Sequence, residues 1–144
     1  RDRVSARAVT DRHLRIGAVA LALVGIAVSG YLLWVHEAGS TIVCATGGCE
    51  TVQHSRYAEI MGIPVALLGL AGYVLLVGTA LLRTGRALFA HTVLAVTAAV
   101  FSLYLVYVQL ELIGAICEWC LVSDAIVSVL AILALLRFRI AQPA

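Results

Sequence analysis

The sequence predicts an all-α integral membrane protein, a four-transmembrane-helix bundle whose outer loop segment contains a short interfacial helix. Three observations carry that expectation. Of 144 residues, 62% are hydrophobic and 12% charged, against about half and about a quarter in a soluble domain. The apolar residues fall into four runs, 14–35, 63–82, 87–113 and 117–136. Each reaches or approaches the ~20 residues that a helix needs to cross ~30 Å of hydrocarbon. The chain has no lysine, and nine of its ten arginines lie before or at the very start of the first run, between the second and third, or after the fourth. Little is left over for a soluble core, so 1–144 is expected to be a single membrane domain.

The first run follows Arg1, Arg3, Arg7 and Arg12 and has Arg15 at its start. It is longer than a signal-peptide core, and no small-x-small cleavage site leads out of it, so a retained anchor is expected. Gly17, Gly25, Ser29 and Gly30 give it a small-residue face for close helix approach. The outer loop, 36–62, is the sizeable polar stretch, with turns marked by Gly39-Ser40 and Gly47-Gly48. Residues 50–57 contain neither Gly nor Pro and are the candidate for the interfacial helix. Gly62 lets the chain bend into the second run, Pro64 suits a first helical turn, and Gly69 and Gly72 continue the small face. Arg83 and Arg86 occupy the next turn. The third and fourth runs are separated only by 114–116 and must be antiparallel neighbours, and Arg137 and Arg139 close the fourth.

With an even number of spans, the positive-inside rule puts both termini and the 83–86 turn in the cytoplasm. The 36–62 loop and the 114–116 turn then face the periplasm or exterior, across a cell inner (plasma) membrane. The competing interpretation of the N-terminal arginines, a nucleic-acid-binding tail, does not explain why the same bias recurs at two other places. No nucleic-acid partner is expected. Trp34 and Trp119 fit an aromatic belt at the outer interface.

All four cysteines fall on that outer side, where oxidised thiols persist. Cys117-Glu118-Trp119-Cys120 is a C-x-x-C motif at a helix start, where unpaired N–H groups and the positive end of the dipole stabilise a thiolate. Half of a zinc site and a pair of inert buried thiols are the alternatives. Cys44-x4-Cys49 closes a small loop through Gly47 and Gly48. A purely structural disulfide is its alternative, although so short a loop gains little by chain entropy. Neither spacing matches a standard pair of zinc knuckles, and no metal is expected.

The ordered set C-x4-C in the first outer segment, Ser55 six residues after Cys49, Met61-Gly62-Ile63-Pro64, and C-x-x-C opening the fourth span resembles the vitamin K epoxide reductase family in its bacterial members. The resemblance covers nearly the whole chain. It implies a four-helix bundle that holds a quinone near its outer end. It also implies electron flow from a thioredoxin-fold, DsbA-like partner through the loop cysteines to the C-x-x-C pair and on to quinone, in support of disulfide formation in exported proteins. The partner is expected in trans, with no fused thioredoxin-like domain. By the same resemblance Cys44 forms the mixed disulfide with the partner, Cys49 passes electrons to Cys117, Cys120 lies closest to the quinone, and Ser55 supports the quinone or the thiolate. Animal members have a tyrosine four residues beyond the last cysteine where this chain has Asp124, so an animal-type quinone or inhibitor site is not carried over.

Among other polar residues of the spans, Asp124 lies about one turn beyond Cys120, near enough to donate to a quinone oxygen or to handle its proton; a helix-start carboxylate is the alternative. Gln109 reaches a comparable depth and either lines the same pocket or packs between helices. His54 is an exposed loop histidine or a proton relay, and His91 lies near the cytoplasmic end. Arginine without lysine, with abundant Ala, Val and Gly, points to a GC-rich bacterial genome, and the GC-rich bacteria that use menaquinone tilt the expectation to menaquinone over ubiquinone. The rivals are a DsbB-like quinone reductase, whose second cysteine pair lies in a loop before the last span, and a non-catalytic membrane scaffold or transporter subunit with structural disulfides.

Overall fold

The structure, a computed structural model, describes residues 2–142; Arg1 of the basic N-terminal set and the last two residues of the 1–144 domain lie outside the described residues. Its elements are α1 (Asp2–Ala38), α2 (Cys49–Gln53), β1 (Glu59–Ile60), β2 (Ile63–Pro64), α3 (Val65–Leu81), α4 (Gly85–Tyr107), a π-helical segment Val108–Ile113, and α5 (Glu118–Ala141). α1, α4 with its π-helical extension, and α5 are each long and apolar enough to cross a membrane; α3, at 17 residues, is apolar but shorter. At 1.5 Å per residue α3 measures about 25 Å.

Several sequence-based boundaries differ from the observed ones; α4 begins at Gly85 rather than 87, and α5 runs to Ala141 rather than 136. α1 runs for 37 residues, so the arginine-rich start is helical and extends the rod well beyond the expected 14–35. A short helix is present in the 36–62 loop but covers Cys49–Gln53 rather than 50–57. The second apolar run begins in extended chain, because Ile60 pairs with Ile63 and Glu59 with Pro64 in a two-residue antiparallel hairpin. Met61 and Gly62 form its tip with φ of 54° and 81°, both left-handed as a twisted two-residue hairpin requires. Pro64, with ψ 133°, therefore caps α3 from outside its first turn. The fold is otherwise helical, with this hairpin as its one departure from all-α among the described residues.

α1 packs on α3 and α5, and α4 packs on α5 and α3, so the four long helices close a ring. Small residues let α1 and α3 approach. A Cβ on Gly25 would run into the Tyr73 ring, and one on Gly69 would sit 3.1 Å from Ser29 Oγ. Gly17, Gly30 and Gly72 have open space instead. The small face therefore works at two crossings, not along its whole length.

Two buried clusters stack along the bundle. One joins Ala18, Ala22, Tyr73, Leu76, Ala95, Leu130 and Ala134. The other joins Val28, Leu32, Val35, Ile42 and Val52 with Cys49 and Cys117. At the arginine-rich end, Arg137 is buried and its Nε donates to Asp11 Oδ1 at 2.9 Å, tying α5 to α1. His91 is buried too, its Nδ1 2.9 Å from Thr79 Oγ1. At the opposite end, His36 Nε2 meets Glu59 Oε1 at 3.1 Å and ties the hairpin to the last turn of α1.

Candidate functional site: a disulfide, a dithiol and an apolar cavity

Gly114, with φ 68°, ends the π-helical segment and turns the chain back toward α5. Gln109 is the post for that turn. Its backbone carbonyl accepts from Gly114 and Ala115 N–H, and its side-chain Oε1 accepts from Cys117 N–H at 2.8 Å. Cys117 caps α5, its Sγ accepting the Cys120 N–H at 3.3 Å. The helix start thus serves Cys117 rather than both thiols equally. Cys117 has no exposed surface, whereas Cys120 is half-buried.

Cys44 and Cys49 are joined in a disulfide, with Cα atoms 6.0 Å apart. Cys44 is partly exposed and Cys49 completely buried. Cys49 begins α2 and shares one buried cluster with Cys117, while Cys44 and Cys120 pack against that cluster. One disulfide and one dithiol therefore lie side by side, one sulfur of each pair in the same buried cluster. Gly48 makes this approach possible: a Cβ there would collide with the backbone carbonyl of Ile116.

Beneath the cysteines, a cavity of about 390 Å³ opens between the long helices and α2. Its walls are mostly apolar, with Leu32, Val52, Leu68, Leu76, Phe101 and Val127 among them. The polar side chains at its wall include Gln53, Ser55, Gln109, Cys120, Ser123 and Asp124. This composition, an apolar slot with a few placed polar groups, is that of a small-molecule site.

The model of the vitamin K epoxide reductase family matches residues 16–135, most of the chain. The chain belongs to this family. Family membership implies membrane thiol oxidoreductase activity, which the disulfide beside a dithiol fits.

Within this vitamin K epoxide reductase family fold, the sequence-derived candidates Ser55, Gln109, Cys120 and Asp124 all meet at the one cavity. Ser55 Oγ donates to Val52 O at 2.7 Å, closing the turn after α2. Its proton is thus committed, and only its lone pairs face a ligand. Gln109 is 3% exposed and its carbonyl is held by Cys117, which makes it a positioner of the thiol turn. Asp124 Oδ1 accepts from Ser102 Oγ at 2.6 Å, and Asp124 Oδ2 is buried without a partner. His54 is exposed at the end of α2, and buried His91 packs at the other end of the bundle.

Three contributors escaped the sequence. Gln53 Nε2 lies 3.6 Å from Cys120 Sγ. Its spacing from Cys49 was a usable signal, because residues four apart share a helix face. Ser102 and Tyr73 had none. Ser102 meets Asp124 across two helices, and Tyr73 Oη donates to Ser123 O at 2.8 Å across the bundle. Both pairings exist only once α3, α4 and α5 are packed.

Proposed function

We propose that this protein is a quinone-dependent thiol oxidase of the cell inner (plasma) membrane. It oxidises a thioredoxin-fold, DsbA-like partner and passes two electrons through Cys44/Cys49 and Cys117/Cys120 to a membrane quinone, in support of disulfide formation in exported proteins. The observation that carries this proposal is the position of Cys120, which faces a mostly apolar cavity on one side and the outer cysteine cluster on the other.

The residues at the cavity fit a quinone. A flat, lipophilic carbonyl compound matches apolar walls, and its carbonyl oxygen would accept from Asp124 Oδ2 in its protonated form, giving that atom the partner it lacks and removing a penalty of ~1–3 kcal/mol for a buried unsatisfied polar atom. When bound, the quinone supplies the two-electron acceptor and the protein the orientation. The lysine-free, Ala-, Val- and Gly-rich sequence, in the style of a GC-rich genome, tilts the proposal to menaquinone over ubiquinone.

Each step on the protein is an exchange of one S–S bond for another. A partner thiolate attacks Cys44 Sγ, the half-exposed sulfur of its disulfide, and Cys49 leaves as a thiolate. The second partner thiol attacks its own sulfur in the mixed disulfide and releases Cys44. With the inner pair oxidised, the Cys49 thiolate attacks Cys117 Sγ and displaces Cys120 as a thiolate, and Cys44 then closes on Cys49 and releases Cys117. The observed state, disulfide outside and dithiol inside, has the two electrons on the Cys117/Cys120 pair. The Cys120 N–H and the Gln53 amide stabilise charge on Cys117 and Cys120 respectively. Asp124 Oδ2 is the group positioned to deliver a proton into the cavity, and Ser55 offers lone pairs at its rim.

In the membrane, α3 serves as the second of four spans. Its 17 helical residues are extended by the 63–64 segment and Leu82, and arginines 83 and 86 mark the cytoplasmic turn. Both termini are then cytoplasmic and both cysteine pairs face outward.

Anaerobic mixing of the purified protein with a reduced thioredoxin-fold oxidase and either menaquinone or ubiquinone tests the proposal by quinone absorbance. Loss of absorbance at one quinone per partner disulfide, abolished by Cys120→Ala, is the expected outcome. No partner oxidation and no quinone loss with the wild-type protein would leave the scaffold with structural disulfides as the better description, and unimpaired quinone loss in Cys120→Ala would overturn the route through Cys120.

A further inference from the structure

The two residues between the C-x-x-C cysteines do not face the cavity's chemistry. They reach outward to the other cysteine loop. Glu118 Oε1 accepts from Ala45 N–H at 2.7 Å, and Trp119 Nε1 donates to Val43 O at 2.7 Å. Ala45 and Val43 are the residues on either side of Cys44. Thr46 Oγ1 donates to Ile116 O at 3.0 Å, one residue ahead of Cys117. Val43 is held from its other side as well, its N–H directed at Tyr31 Oη at 3.4 Å, and the Tyr31 and Trp119 rings lie 5.1 Å apart. The Cys44 loop is otherwise a run of turns with no regular structure until α2 begins.

We propose that Glu118 and Trp119 are positioning residues that form a clasp. They dock the Cys44–Cys49 loop on the first turn of α5 and keep Cys49 within reach of Cys117 while the outer disulfide is open. The need for such a clasp follows from the exchange itself. Once a partner thiolate has opened the Cys44–Cys49 bond, the covalent staple of this short loop is gone. The inward step, attack of the Cys49 thiolate on Cys117 Sγ of the oxidised inner pair with departure of the Cys120 thiolate, is fast only if the two sulfurs stay at high effective concentration. Hydrogen bonds that flank Cys44 from both sides persist when the disulfide does not. The clasp also assigns a requirement at each position: an acceptor at 118 and a ring N–H donor at 119. It rests on the electron route proposed above but is measurable without quinone or partner.

The test uses the full chain carrying Cys44→Ala and Cys120→Ala, in which Cys49–Cys117 is the single disulfide that can form. Titration against reduced and oxidised glutathione gives the effective concentration of the two thiols. Adding Glu118→Ala should lower it at least tenfold, and adding Trp119→Phe, which keeps the ring but removes the donor, at least threefold. Glu118→Gln should stay within twofold of the parent, since the amide oxygen accepts from Ala45 as the carboxylate does. Rescue by glutamine separates the clasp from a general loosening of the fold. An effective concentration unchanged by Glu118→Ala would overturn the clasp, and so would a Glu118→Gln loss as deep as that of alanine. If Glu118→Ala does not fold, Trp119→Phe decides: no change there overturns the proposal. Failure of the wild-type protein to reduce quinone would instead count against the electron route and leave this titration as it stands.

Discussion

Replacing Asp124 by asparagine separates binding from proton delivery. One carboxylate oxygen is occupied by Ser102 Oγ at 2.6 Å, and the other is buried without a partner in the residue that lines the cavity beside Cys120. Asparagine is nearly isosteric: its Oδ1 keeps the bond from Ser102, and its Nδ2 still offers a donor in the place of Oδ2. What it cannot do is give up a proton. A positioned general acid contributes ~10²–10⁴-fold; taking the lower end because protons can also enter through the open rim, kcat for quinone reduction should fall about 100-fold. That corresponds to about 2.7 kcal/mol in the barrier. The KM for quinone should stay within about threefold, since the donor remains. Ser102→Ala should have a weaker effect of the same kind, about tenfold in kcat, because the carboxylate loses its anchor but keeps its proton. Steady-state quinone absorbance, with a small dithiol as the reductant to bypass the outer loop, measures both constants. A kcat for Asp124→Asn within twofold of wild type would refute proton delivery. A raised KM with unchanged kcat would make Asp124 a binding group only.

Further outcomes follow from other parts of the structure. In Cys49→Ala the Cys44 thiolate should attack the disulfide of the oxidised partner and hold it as a mixed disulfide visible on non-reducing gels, while Cys44→Ala should hold none; the opposite pattern would reverse the order of the outer pair. Gln109→Leu should cost about 1–3 kcal/mol of stability, because it leaves the buried Cys117 N–H unpaired, and hydrogen exchange at Cys117 should accelerate in parallel. Gly25→Ala, whose Cβ would enter the Tyr73 ring, should destabilise the bundle by ~1–3 kcal/mol in thermal denaturation. Gly17→Ala, with open space around its Cα, should be neutral or stabilising by up to about 1 kcal/mol. After reduction, a membrane-impermeant thiol reagent should label Cys44 in intact cells; labelling only after the cytoplasmic side is opened would overturn the assigned orientation.

The family, the helical character and the cysteine set were legible in the chain because they depend on local pattern. A run of apolar residues is long enough for lipid or it is not, and C-x4-C and C-x-x-C are read at fixed spacing. The same holds for Ser55, Gln109 and Asp124 as a group: each lies a short, countable distance along a helix or loop from a cysteine, and the structure lines one cavity with all three. Where a short-range preference competed with a pairing, the sequence misled. The hydropathy of Ile63-Pro64 reads as helix, but Ile60 across the Met61-Gly62 tip holds both residues extended, and α3 starts two residues late. What each candidate does was decided by packing. Gln109, which the sequence left between pocket lining and helix packing, is directed by the π-helical segment onto Cys117 N–H. Ser102, an ordinary serine along its own helix, becomes the partner of Asp124 because α4 lies against α5. Glu118 and Trp119 are spacers in the motif and contacts in the fold. The chain determines which residues are available and at what depth. Hydrogen bonds between residues dozens of positions apart depend on how the helices are rotated against one another, and the small crossings at Gly25 and Gly69 and the close approach at Gly48 set that rotation only when the whole ring is closed.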